Sequence, residues 1–280
     1  MISNDLKNLF LFLLISATTF FIAVSLINFN LIVGIFSSIM IFGRLQIYYS
    51  EVLHEATHFN FFRSFRLNSL ISNILLYPFL LITVEQNRKS HFIHHSFKED
   101  EENYFTDTDP ETSIYSPSDF SWRNIFKDLI GYTSIKLFFK KNTKDSAKSS
   151  QRKILPFIMY NTYAVFFWFT LIYFTNHGLK IFICWGISAL TIYSFLSRVR
   201  IYLMHKNLNG EKNISRDIKS DIISNIFISK MMLNHKMHHI HPNLSYRDLN
   251  KLADEKNVPK ENCLDLIKFF IRKKNEVSIL

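Results

Sequence analysis

The chain has 280 residues, 48% of them apolar, and carries 33 Lys and Arg against 23 Asp and Glu, a net charge of +10. Its apolar residues fall in a few long blocks between charged stretches, which argues against a nucleic-acid-binding domain and for a helical membrane protein whose basic loops face anionic lipid. Cys184 lies in an apolar block and Cys263 in a charged tail, so no disulfide framework is expected.

Residues 9–27 form an apolar run long enough to cross ~30 Å of hydrocarbon. The run lacks the strongly basic start and the small-residue cleavage pattern of a signal peptide. After a short turn at Asn28-Phe29-Asn30, a second run covers 31–49, and the two read as a helical hairpin. Arg44 near its end can snorkel or face inward. His54-x-x-x-His58 follows as that helix leaves the bilayer. Residues 67–84 are apolar but contain Asn68, Asn73 and Pro78, and read as an interfacial or re-entrant helix. His91-x-x-His94-His95 comes next, then a polar, charged stretch over 98–153. Further spans are expected at 155–174 and 179–196, joined by the turn around His177. His205 stands past the last span, and His235-x-x-His238-His239 lies in the polar C-terminal part.

Four spans put every histidine cluster on one side. Lys and Arg crowd the large loops on that side and are nearly absent from the short turns, which makes it the cytoplasmic one. The expected fold is thus an all-α integral membrane protein, one domain over 1–280. About four transmembrane helices would carry a cytoplasmic helical cap that holds the histidines.

Neutral imidazole is a good ligand for zinc, copper and iron. On a helix His54 and His58 share a face. In His-x-x-His-His the first two also share a face, while the third points about 100° away and can reach a different ion. Eight imidazoles exceed the needs of one ion, so two metals are expected. His-Glu-x-x-His is also the zinc protease signature, but Phe61 and Ser64 occupy the Gly and third His positions of its extended form. A transporter would place its site near the bilayer midplane rather than beyond the helix ends. A non-catalytic scaffold would have lost ligands.

The order of these motifs, with two spans between the second and third, resembles the membrane fatty acid desaturase and hydroxylase superfamily. The third motif with Pro242 and Tyr246 is similar to the acyl-lipid desaturase ending His-x-x-His-His-x-x-Pro-x-x-x-Tyr, and Asp107-Thr-Asp109-Pro110 to an acidic, proline-containing stretch of these proteins. The chain departs from many acyl-lipid desaturases at Met237, where they carry Glu, and at Glu55 and Phe59, where they carry Asp and Gly. The resemblance implies two iron ions, dioxygen as co-substrate and electrons from a separate ferredoxin or cytochrome. It also implies an acyl-lipid or acyl-thioester substrate and desaturation of the acyl chain, with lipid hydroxylation as the alternative. The implied ligands are His54, His58, His91, His94, His95, His235, His238, His239 and, as a ninth, His205. His177 and His241 are left out. Glu55, Asp107 and Asp109 are, by position, the carboxylates that would orient the rings.

Overall fold

The structure, a computed structural model, describes residues 4–96, 121–137, 154–205 and 215–268; Asp107 and Asp109 lie outside these. The described residues are almost entirely helical, with two isolated β-bridges and no strand.

Helices α1 (Asn4–Phe29) and α2 (Leu31–Thr57) form the hairpin. Asn30 caps α2: its Oδ1 accepts from the N–H groups of Ile32 and Val33 at 3.1 and 3.0 Å, the arrangement that starts a helix sharply. Gly34 lets the helices close at the turn, since a Cβ there would stand 2.4 Å from the Leu26 carbonyl oxygen. The expected run 31–49 is the apolar part of a longer helix, because α2 continues to Thr57 and carries His54 out with it. From Phe42 to Thr57 it is buried on nearly every side. It packs against α1, the next two helices and the last membrane helix, which makes it the central post.

The segment read as interfacial is a bent pair, α3 (Phe65–Leu80) and α4 (Val84–Ser96), with 90° between them. Pro78 has no N–H for the Ile74 carbonyl one turn back. The Tyr163 hydroxyl donates to that carbonyl at 3.0 Å instead, and Trp168 Nε1 donates to the Pro78 carbonyl at 2.8 Å. Leu81 ends α3 in the left-handed region (φ 53°). Thr83 and Gln86 then start α4 as a capping box, the Gln86 N–H donating to Thr83 Oγ1 and the Thr83 N–H to Gln86 Oε1. Buried Asn73 staples the corner: its Oδ1 accepts from the Val84 N–H at 2.7 Å and its Nδ2 donates to Glu85 at 3.0 Å. The polar residues that broke the apolar pattern of 67–84 are thus the ones that make the bend.

After α5 (Trp122–Leu129) come α6 (Ile154–Phe174), α7 (Gly178–Leu190) and α8 (Ile192–His205). α7 and α8 form one run with a break at Thr191, longer than the expected 179–196. Four helices are long and apolar enough to cross a membrane: Asn4–Phe29, Leu31–Thr57, Leu155–Phe174 and Gly178–His205. Large apolar side chains on their outer faces are exposed, including Phe21, Phe36, Phe166 and Phe169, as lipid-facing residues are. Arg198 of α8 holds Asp128 of α5 in a buried fork, with the second contact at 2.9 Å.

The remaining elements are α9 (Ser224–Phe227), α10 (His235–Ile240) and α11 (Tyr246–Glu255). The segments that flank α9 dock on α8 through a core of Val199, Tyr202 and Leu203 against Ile218, Ile228 and Leu233.

Candidate metal centre

Four elements converge at the end of the bundle. α2 brings His54 and His58, α4 brings His91, His94 and His95, α8 ends on His205, and α10 brings His235, His238 and His239. Their ring nitrogens fall into two groups, His54, His58, His91, His95 and His238 in one, and His94, His205, His235 and His239 in the other. Within each group the nitrogens lie within 4.8 Å of one another. His177 and His241 belong to neither group.

The division within each motif differs from the expected one. The first and third histidines of His-x-x-His-His pair, at i and i+4, and the middle one crosses to the other group. His91 and His95 meet at 2.9 Å with His94 in the second group; His235 and His239 meet at 3.1 Å with His238 in the first. The expected pairing took the i, i+3 neighbours, but i+4 neighbours share a helix face as well, and here it is those that meet. The two motifs are split in opposite senses.

The contacts are compatible with shared metal ions and do not satisfy hydrogen-bond geometry throughout. His91 Nε2 lies 2.7 Å from His58 Nε2 and 2.9 Å from His95 Nε2, and His95 Nε2 lies 3.1 Å from His238 Nε2. In the second group His235 Nε2 stands 2.8 Å from His205 Nε2 and 3.1 Å from His239 Nε2. A neutral ring nitrogen has one proton or one lone pair, so His91, His95 and His235 cannot hydrogen-bond two such neighbours at once. Nitrogens ~2.1 Å from a shared ion stand about 3.0 Å apart at a right angle and about 3.4 Å apart at a tetrahedral one, which accounts for the crowding. His54 adds a second sign: both its ring nitrogens are buried without a hydrogen-bond partner, and its ring lies 4.4 Å from that of His91 and 4.5 Å from that of His238. Burial, reinforced by the neighbouring imidazoles, holds His235, His238 and His239 well below the ordinary histidine value. They are therefore neutral, the form that binds a metal. The donor set fits two ions of the kind imidazole prefers.

Carboxylates behind the rings place the elements. Asp217 Oδ1 accepts from the N–H groups of Lys236 and Met237, at 2.9 and 3.2 Å, and so caps the short helix that carries three of the histidines. Burial raises its carboxyl, against the pull of those two N–H groups. Glu51 is fully buried in α2, and its Oε1 accepts from the Ser229 N–H at 3.0 Å. Glu55 Oε2 accepts from the Tyr246 N–H at 3.2 Å, so it ties the first motif to the segment after the third. Met237 packs with Leu249 and Ala253 in a small core, which explains an apolar residue at that position. The sequence reading did not single out Glu51 or Asp217. A carboxylate just past an apolar run, three residues before His54, was the available signal for Glu51; Asp217 stands in a polar stretch with no motif.

A family model described as fatty acid desaturase matches residues 9–266. Searches of curated proteins and of solved structures found no match.

Proposed function

The chain belongs to the fatty acid desaturase family, and on that premise we propose that it desaturates a fatty acyl chain with dioxygen at a two-iron site facing the cytoplasm. The observation that carries this reading is the opposed splitting of the two His-x-x-His-His motifs between two groups of closely packed imidazoles. Nine histidines, His54, His58, His91, His94, His95, His205, His235, His238 and His239, would hold the ions. The net change removes two hydrogens from adjacent methylenes and reduces dioxygen to two waters with two electrons and two protons. Iron, when bound, supplies the activation of dioxygen that hydrogen removal from an unactivated methylene demands.

The chain's own part is placement. His235, His238 and His239, held neutral by burial, bring no charge of their own to the ions they would hold. Asp217, Glu51 and Glu55 fix α10 and its flanks against α2, so ligands from distant parts of the sequence meet within ångströms. The rings of His91, His94 and His235 are fully buried, which keeps bulk water from the reacting centre. Electrons come from a separate carrier of ferredoxin or cytochrome type: Cys184 and Cys263 are buried and free, and an iron–sulfur cluster needs four thiolates. The acyl substrate, on a lipid or as a thioester, enters from the bilayer that the four spans cross. Basic loops on the histidine side support the cytoplasmic orientation.

Lipid profiling by mass spectrometry of cells expressing the protein beside His94→Ala tests the reading. An unsaturated product is expected from the wild type alone. A hydroxylated product would move the assignment to lipid hydroxylation, and equal profiles would remove it.

A further inference from the structure

Near the junction of α2 and α11 the fold leaves a polar cavity of about 150 Å³. Its walls come from three places: Asp5 and Asn8 at the start of α1, Asn60 and Arg63 in the turn after His58, and Arg247 and Asp248 at the start of α11. The walls are fixed to one another. Asn8 Nδ2 donates to the Phe61 carbonyl at 2.8 Å, the Arg63 N–H donates to the Asp5 carboxylate at 3.3 Å, and Asn60 Nδ2 donates to the Leu244 carbonyl at 3.0 Å. The charged groups are not consumed by each other. Among the described residues neither guanidinium has a carboxylate oxygen within 4.0 Å; Arg247 donates to the Tyr246 hydroxyl at 3.1 Å.

The depth of the cavity narrows what can fill it. The apolar run of α1 begins at Leu9, next to the cavity wall at Asn8. At 1.5 Å per residue the stretch from Asn4 to Asn8 covers about 6 Å, the thickness of one headgroup layer. A ligand here has to be polar, of headgroup size, and matched to two cations and two carboxylates.

We propose that this cavity binds the headgroup of an aminophospholipid, with the phosphate on Arg63 and Arg247 and the ammonium on Asp5 and Asp248. Guanidinium groups suit phosphate oxygens. The two carboxylates repel an anionic headgroup that lacks an amine, and a quaternary ammonium has no N–H to give them. The site lies outside both histidine groups and needs no iron, so it stands or falls apart from the desaturase reading.

The full-length protein is reconstituted in nanodiscs holding equal parts phosphatidylethanolamine, phosphatidylcholine and phosphatidylglycerol, then stripped stepwise, and the retained lipid is identified by mass spectrometry. Phosphatidylethanolamine is expected to outlast the other two. Arg63→Gln with Arg247→Gln should weaken its retention by about tenfold or more, the loss of one or two charge-assisted contacts. Asp5→Asn should turn the preference toward phosphatidylglycerol. Equal retention of the three lipids by the wild type overturns the proposal whether or not the variants fold, and so does an unchanged preference in a folded double variant. Free glycerophosphoethanolamine should compete for the site. Competition by inorganic phosphate alone would mark a plain anion site and also overturn it.

Discussion

Replacing Asp217 by Ala tests how the metal centre is held. The carboxylate caps α10, a helix of 6 residues that is too short to persist on its own. Its Oδ1 takes two N–H groups, from Lys236 at 2.9 Å and from Met237 at 3.2 Å, and Met237 is buried. Losing an N-cap acceptor of this kind costs about 1–2 kcal/mol, with part of the carboxylate's desolvation returned because its Oδ2 has no hydrogen-bond partner. If that cost falls on ordering α10, and 1.4 kcal/mol corresponds to about a factor of ten, metal affinity should drop by roughly tenfold. His238 serves one group and His235 and His239 the other, so both ions should weaken together. Asp217→Asn keeps an acceptor oxygen and should lose less. Titrating metal-free protein with ferrous iron against a competing chelator reads both affinities. Loss confined to one ion, or none in either, would refute the claim that Asp217 organises the centre through α10.

The bend before α4 depends on Asn73, whose amide meets Val84, Glu85 and Tyr160. Asn73→Ala should cost about 1–3 kcal/mol by stranding the buried Val84 N–H, read as a lower melting temperature; an unchanged one would place the bend's support elsewhere. The third prediction concerns pH. His235, His238 and His239 titrate well below their unfolded value of about 6.5, so below that pH the unfolded chain binds more protons than the folded one. Metal-free protein should therefore melt at a lower temperature at acid pH than at neutral pH, and a flat profile would contradict the neutral, buried state of these rings.

Much of this architecture was readable from the sequence, for identifiable reasons. A transmembrane run announces itself by length and apolarity, so the four spans stood out, while their ends did not. α2 and α8 carry histidines past the hydrocarbon on polar turns that hydropathy does not score as span. The number of histidines exceeds one ion's capacity, and that count alone raises the expectation of two metals. The pairing differs from the expected i, i+3 because i+4 neighbours lie on the same helix face as well, and the spacing alone does not select between them. Pro78 and Asn73 read as interruptions; their role depends on Tyr163, Trp168 and Val84, whose nearness the sequence does not reveal. Asp217 was invisible for the same reason, since the N–H groups it caps are about twenty residues on.

Nine imidazoles in two groups are proposed to hold two irons, and metal analysis of the purified protein tests this. Iron should be found at two per chain, falling below that in His54→Ala and in His205→Ala, one variant for each group. A single ion per chain, or zinc at full occupancy after growth in iron-replete medium, would contradict the account.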